Sequence, residues 1–483
     1  MTAATTPRAG ERHTLAALPG PGIWLRRIAA DLDAGFSCLL LFPRAMPAPD
    51  VLLDSLLEQR AHWRTVPPPG AGAGCPGRDR APSPGHQWSG QPPVLDLDDG
   101  YAADILTAAY GTAYPVSAPA VPCPRAGRDQ DARDLEARLA GLLDTTPAGP
   151  HEDIYQRLTT GHHADGCLYV IDAGQEHDPQ ALAHLLLRLP AAAKEAGLPP
   201  HRRPRLLVLA TIEDLPDTYP DRLAGEDVAV HWWWGALGRL DTAAIAALNR
   251  PVTSRVALTA RHRVEEAVVL ATVVEICGPH LDHAAHLSAT WDGHPDTLRP
   301  ALTHTCAALG HTSGSVPWTR LPGGLSHRPS QPLRQPWNAG EVDSWDGHLR
   351  QRPVALLDLG AELPLDKLVW LAQSRTLLPL VDDAREDLVT RVLPTSTLPA
   401  QTMADRYGPG RDIPRPGPGT GPADVLRGME LGTLARARRQ GHVRLTAPQT
   451  DRLHALLDAR NRLSHRRPLD TRQLEHLYQQ LSP

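Results

Sequence analysis

Four short apolar runs govern how this chain can fold. They are Phe36-Ser37-Cys38-Leu39-Leu40-Leu41-Phe42, Gly166-Cys167-Leu168-Tyr169-Val170-Ile171-Asp172-Ala173, Arg205-Leu206-Leu207-Val208-Leu209-Ala210-Thr211 and Val228-Ala229-Val230-His231-Trp232-Trp233. Each is too short to cross a membrane and lacks the alternation of a strand with one wet face. Strands of this kind are covered on both faces, as parallel strands are. Helical patterns stand between them. Ile23, Leu25, Ile28 and Leu32 recur at helical spacing, Asp50 is placed to cap a helix running to about Gln59, and Asp178-Pro179 opens a helix carrying Leu182, Leu185, Leu186, Leu187 and Leu189. The alternation predicts an α/β domain over residues 21–240, with a parallel sheet between layers of helix.

The rest of the chain is divided by proline rather than by hydrophobicity. Of 483 residues 49 are Pro, enough to mark boundaries, and the length suits two to four domains. Residues 1–20 read as a flexible arm, 66–93 as a Pro/Gly-rich insertion, 312–340 as a linker and 395–422 as a further Pro/Gly loop. Short helices are expected at 101–111 and 130–143, with a Pro-rich joint at 115–124. A helical region spans 241–311 and a helical domain 341–483. The net charge of −5 gives no global attraction to nucleic acid, so any such binding must be local. Lys194 and Lys367 are the only lysines in a chain rich in Ala, Pro, Arg and Gly, which reads as the codon bias of a GC-rich bacterial genome. Six scattered cysteines with no C-x-x-C argue against a zinc site, and Cys38 and Cys167 lie in apolar runs as buried thiols. No apolar leader and no long apolar run is present, so a cytoplasmic protein without membrane contact is expected.

Helix, strand, loop, helix over residues 23–59 resembles the opening of a P-loop NTPase. Asp172, closing the second apolar run, matches the position of a Walker B acid, and Thr211 ends a strand like a sensor strand. The spacing of the four runs resembles the core of the AAA and STAND classes, which implies a helical lid in 241–311. The loop departs from that pattern. A Walker A loop cradles phosphate with backbone N–H groups and a lysine. Here the position reads Pro43-Arg44-Ala45-Met46-Pro47-Ala48-Pro49, with no Gly, no Lys and three prolines that lack the N–H. No nucleotide-binding residue is therefore expected. Asp172 is read as a degenerate Walker B-like acid that caps a strand rather than holding magnesium.

Two other features invite chemistry. Trp232-Trp233-Trp234 cannot all enter one core, so one or two should face a neighbouring domain or partner. Against that stands the reading of a strand end packed under the next helix. His280, His283, His286, His294 and His304 invite a metal. With no H-E-x-x-H among them they are read as solvated, and neither metal nor cofactor is expected.

The C-terminal pattern is more specific. Leu453, Leu456, Leu457 and Leu463 recur at helical spacing between Thr450, a candidate N-cap, and Pro468. Arg460, four after Leu456 and three before Leu463, is expected on the apolar side, where a guanidinium needs a partner. R-x-x-x-x-H also occurs at Arg8/His13, Arg157/His162 and Arg299/His304, but only Arg460 is followed by Asn. Arg460-Asn461-Arg462-Leu463-Ser464-His465 resembles the R-N-x-x-x-H motif of the HEPN family, all-helical modules that often act as metal-independent ribonucleases. The Trp370-Leu371-Ala372-Gln373 segment, followed by Leu377 to Arg385 with a kink expected at Pro379, is similar to the first helices of such domains.

The resemblance implies that His465 is acid or base, Arg460 binds phosphate and Asn461 orients, with Arg462, Arg466 and Arg467 as a nucleic-acid-binding patch. Residues five apart on a helix point about 140° apart, so one chain alone joins Arg460 and His465 poorly. A site shared by two copies repairs this, which implies a homodimer or a partner protein docked through this domain. The implied function is an RNA-cleaving effector of bacterial defence or a toxin system, with a non-hydrolysing ATPase-like regulatory domain. The alternative is a non-catalytic scaffold or sensor subunit, with Arg460 paired to Asp382 or to Asp458 of another copy and His465 capping a helix.

Overall fold

A computed structural model describes residues 14–46, 49–58, 60, 62–70, 134–143, 153–160, 166–216, 218–223, 227–251, 259–311, 326–358, 363–408 and 421–481. The expected helix at 101–111, the joint at 115–124 and most of the 66–93 insertion lie outside these residues. So do residues 1–13, 312–325 and 409–420. Within the described part of the expected arm, Thr14–Ala17 is helical and a longer helix starts at Pro19. The chain forms two compact units, residues 1–241 with 316–352, and residues 242–315 with 353–483. This partition differs from the expected one. Of the described residues, 326–352 fall in the unit of the sheet, and 242–251 and 259–311 in the unit of the C-terminal helices.

The first unit is built on a parallel sheet. Its strands are β1 Ser37–Leu41, β2 Trp63–Thr65, β3 Leu168–Asp172, β4 Arg205–Ala210 and β5 Val228–Trp232, in the order β2-β3-β4-β1-β5. Every pairing is parallel, with Leu39 opposite Val208 and Val230, and Val170 opposite Leu207. All five residues of β1 are buried. That is the double-sided burial expected of an unbroken apolar run. The four runs are strands β1, β3, β4 and β5. β2 has no apolar run, since Trp63-Arg64-Thr65 is half-buried to exposed at the sheet edge.

Helices α1 Pro19–Asp33, α2 Asp50–Leu57 and α3 Pro179–Glu195 accompany the sheet. α1 buries Trp24, Ile28 and Leu32 at helical spacing. α3 starts where the sequence places it: the Asp178 carboxylate accepts from the N–H groups of Gln180 and Ala181, and Pro179 fills the first turn, where no N–H is needed. α2 differs from expectation in its cap, because Pro49 takes that place and Asp50 lies inside the first turn. Its carboxylate is still favourable there against the helix dipole.

The Trp expectation is overturned. Trp232, Trp233 and Trp234 are all buried, within the first unit. Successive strand residues point to opposite faces. Trp233 stacks edge-on against Trp24 at 5.1 Å, while Trp232 packs on Trp337, 5.4 Å away, under the guanidinium of Arg334. Trp337 lies on the helix Gln331–Asn338, inside the stretch read as linker. That helix is followed by an antiparallel hairpin, β6 Val342–Trp345 and β7 His348–Gln351. Strong turn and Pro signals hide both from a sequence reading, because their burial depends on tertiary partners.

The second unit is helical. Its main helices are α4 Ala260–Cys277, α5 Leu281–Thr290, α6 Pro295–Ala308, α7 Leu363–Val392, α8 Leu431–Arg439, α9 Ala447–Ser464 and α10 Thr471–Leu481. α4 and α7 pack along each other, and α7 in turn carries α9. Leu377, Val381, Leu388 and Val392 of α7 join Leu453, Leu456 and Leu463 of α9 in one core with Val268 of α4. Glu275 of α4 is fully buried and ion-paired with Arg375 of α7. The region expected as a separate lid thus shares a core with the domain that follows it. α7 runs unbroken through Pro379 for 30 residues. Among the described residues no helix is long and apolar enough to cross a membrane.

Candidate functional site

The Arg460-Asn461-His465 motif occupies the last turn of α9. This helix starts earlier than the sequence suggests. Thr446, not Thr450, is the N-cap, and it forms a capping box with Gln449, with a proline in the first turn. Leu453, Leu456, Ala459 and Leu463 form the buried stripe. The helix ends at Ser464; His465 is the C-cap at φ −90°, and Arg466 adopts a left-handed conformation at φ 58°. That conformation is costly for a residue with a side chain, so surrounding contacts must hold it.

Two side chains of α7 supply them. Trp370 donates from Nε1 to the carbonyl of Leu463 at 2.6 Å, and Arg466 lies over the same ring at 5.9 Å. Gln373 donates from Nε2 to the Leu469 carbonyl at 3.0 Å and accepts from the Leu469 N–H at 2.6 Å. Gln373 is only 1% exposed. Trp370 and Gln373 are one turn apart, so they hold both sides of the segment that carries His465. The sequence reading quoted these residues but assigned them no role.

The motif's side chains lie outward. Arg460 is exposed, which corrects its expected place on the apolar face: Ala459 fills the stripe. The Arg460 guanidinium pairs with Glu430 at 2.9 Å, with side chains 44% and 58% exposed. Asp382, a partner considered from the sequence, pairs instead with Arg385 at 2.7 Å. Hydrogen bonding from Arg385, aided by the charges of Arg385 and Arg460, holds the Asp382 carboxyl below its usual range against the opposing effect of burial. Asn461 and His465 are exposed, and among the described residues their side chains make no hydrogen bond, ion pair or ring contact. Among the described residues nothing joins Arg460 to His465. Of the expected basic patch, Arg467 is exposed and Arg466 covers Trp370. Arg462 is half-buried and donates to the Pro468 carbonyl at 3.3 Å, so its guanidinium braces the turn rather than facing solvent. A groove of about 560 Å³ beside the motif is lined by His454, Asp458, Asp470, Arg472, Gln473 and His476, and by none of the motif's own residues.

The carboxyl ends of parallel strands are where open α/β sheets take ligands. Here the loop after β1 is held by the chain itself. Asn338, 2% exposed, accepts from the Arg44 N–H at 3.0 Å, receives the Ala45 N–H on its carbonyl at 3.3 Å and donates to Glu213 at 2.8 Å. Arg44 completes the ring with Glu213 at 3.3 Å. The approach is close: a side chain at Gly340 would meet Ala45 at 2.7 Å, and Gly340 has φ +69°. The Arg44 and Ala45 N–H groups, at the place where a Walker A loop would offer such groups to phosphate, are therefore taken. Asp172 is exposed and caps the short turn after β3, accepting from the Gly174 N–H and from Gln175. Beside it Thr211 donates from N and Oγ1 to Asp214 at 2.7 and 2.9 Å.

The histidines of the second unit are not uniformly solvated. His294 and His304 are exposed, but His283 is 0% exposed. Its Nδ1 lies 2.9 Å from Asp282, whose other oxygen is 3.7 Å from Nε2 of His311. His286 meets Thr305 instead. The missed member is His311, seven residues past His304 and outside the helical spacing that grouped the others.

Compared with known proteins, the chain matches no family model, no curated protein and no solved structure.

Proposed function

We propose that this chain is a HEPN-type RNA-cleaving effector whose active site is completed when two copies of α9 meet, with the sheet unit as a non-hydrolysing, ATPase-like regulatory part. The observation that carries the reading is the state of the motif. Asn461 and His465 are exposed and unengaged on a helix end that is itself firmly held by Trp370 and Gln373. Polar groups without intrachain work on a rigid support suit a site that acts on something else. The chemistry implied is attack of the RNA 2′-OH on the adjacent phosphate. His465 moves the proton, Arg460 neutralises the phosphate and Asn461 orients either group. Because the two side chains do not meet within one chain, each Arg460 serves the His465 of the other copy across a two-fold contact.

The sheet order supports the other half of the reading. β1 lies between β4 and β5, with β3 beyond β4, so the strand before the loop and the strand ending in Asp172 are separated by one strand. This is compatible with the AAA and STAND resemblance and differs from the dinucleotide-binding order 3-2-1-4-5-6. The ring of Arg44, Asn338 and Glu213 supports the absence of nucleotide turnover. A scaffold reading is favoured by one observation, the pairing of Arg460 with Glu430.

The test is RNA degradation by the purified chain and by His465→Ala and Arg460→Ala. Each substitution abolishes cleavage without unfolding the protein, and the double variant loses no more than either single, because the residues act on one transition state. Products carry a 2′,3′-cyclic phosphate, and the chain sediments as a dimer. A stable His465→Ala protein with undiminished cleavage would exclude this mechanism.

A further inference from the structure

The start of α5 and the end of α6 bring together three groups that the RNA chemistry does not use. α4 stops at Cys277; Gly278, at φ 53°, turns the chain, and Asp282 and His283 fall in the first turn of α5. α6 stops at Ala308. Gly310 then takes φ +70°, and the His311 N–H closes back on the Cys306 carbonyl at 3.0 Å. This is a left-handed helix stop, which glycine adopts without strain. It sets His311 against Asp282, with the His283 and His311 rings stacked at 4.9 Å and 10° from parallel.

We infer that Asp282, His283 and His311 hold one divalent transition-metal ion of the zinc type. Their donor atoms all lie within 4.8 Å of one another. Bonds of about 2.0 Å at tetrahedral angles place ligand atoms about 3.3 Å apart. The two separations on the Asp282 carboxylate, 2.9 Å to His283 Nδ1 and 3.7 Å to His311 Nε2, lie on either side of that distance. Two imidazoles and one carboxylate suit zinc and its neighbours rather than magnesium or calcium, which take oxygen donors. The site has a closed and an open side. His283 is fully buried and its Nε2 has no hydrogen-bond partner among the described residues, so its polar engagement is at Nδ1 alone. Asp282 and His311 keep 40% and 24% of their side chains exposed, which leaves a path for the ion and room for water as a fourth ligand.

The rival is a bare hydrogen-bonded His–Asp–His chain. The two are separated with the full chain, stripped of metal by chelator and titrated with Co²⁺, whose visible absorption reports tetrahedral coordination, and with Zn²⁺ in competition. The expected result is one ion per chain. Asp282→Asn and His311→Gln each weaken binding at least tenfold. His311 is part-exposed beyond the end of its helix, so His311→Gln keeps the test valid should a substitution at Asp282 disturb folding. No absorption at a hundred micromolar Co²⁺, or binding equal in the wild type and both variants, would overturn the site. RNA cleavage plays no part in this readout, so either reading can fail alone.

Discussion

Replacing Gln373 by Met tests whether the support beneath the motif is energetically real. Methionine keeps the length and the unbranched stem of glutamine, so little cavity is made. Both hydrogen bonds to Leu469 are lost, leaving a buried N–H and a buried carbonyl unpaired. An unsatisfied buried group costs about 1–3 kcal/mol, so the pair costs roughly 2–6 kcal/mol. A chain of two units need not unfold in one step, so this local effect is best read locally. Hydrogen exchange read on peptides covering residues 463–470 reports the local opening energy directly. Exchange there should accelerate by about thirty-fold or more, from the lower bound of 2 kcal/mol, while peptides of β1 and β4 stay unchanged. Trp370→Phe, which removes one bond to Leu463 and keeps a ring, should cost only about 1 kcal/mol. An acceleration below about threefold in Gln373→Met would refute the clamp.

Two further outcomes follow from the first unit. Asn338→Ala removes two side-chain bonds, one from the Arg44 N–H and one to Glu213, and should lower the stability of this unit by about 1–3 kcal/mol, without creating ATP turnover; a gain of hydrolysis would refute the degenerate-loop reading. Burial pushes the Asp343 carboxyl from 3.8 up to about 7, against the pull of the Gly235 and Ser344 amides. The folded form therefore keeps a proton that the unfolded chain releases between about pH 4 and 7, so stability should fall as pH rises through that window. Asp343→Asn should flatten this slope; parallel melting profiles of the two proteins would count against it.

What the sequence reveals here follows from how far apart the interacting residues lie. The strands β1, β3 and β4 are legible because burial leaves an unbroken apolar run, and β5 because its residues are mostly apolar although it is an edge strand, half-buried in the middle. The α9 stripe is legible because helix periodicity is local. β6 pairs locally with β7, but its four residues carry no strand pattern of their own, and β2 is hidden because Trp63-Arg64-Thr65 gains its pairing from Leu168 to Val170, distant in the chain. The same is true of the helix Gln331–Asn338. Its prolines at 332 and 336 argue for a loop, and its buried Trp337 is explained only by Trp232, more than a hundred residues away. The site divides likewise. The motif's spacing is visible in one dimension, but Glu430, Trp370 and Gln373 reach it from other helices. His311 joins Asp282 only through the turn at Gly310.

The Arg460–Glu430 pair decides less than its geometry suggests. If Arg460 neutralised a buried carboxylate, removing it would strand a charge and cost about 3–5 kcal/mol. Glu430 is instead 58% exposed, and Arg460 44%. A pair this open is screened by water and contributes about 0–1 kcal/mol. Arg460 can therefore leave Glu430 for a phosphate at little cost, and a charge-assisted contact to phosphate is the stronger of the two. The scaffold reading needs the pair to matter for folding, whereas the effector reading needs it to be dispensable. Arg460→Ala should accordingly lower the melting temperature by no more than a few degrees. If that variant is destabilised as a buried pair would be, the guanidinium is structural and the proposed phosphate contact falls. If it melts with the wild type and has lost RNA cleavage, the loss belongs to the chemistry and not to the fold.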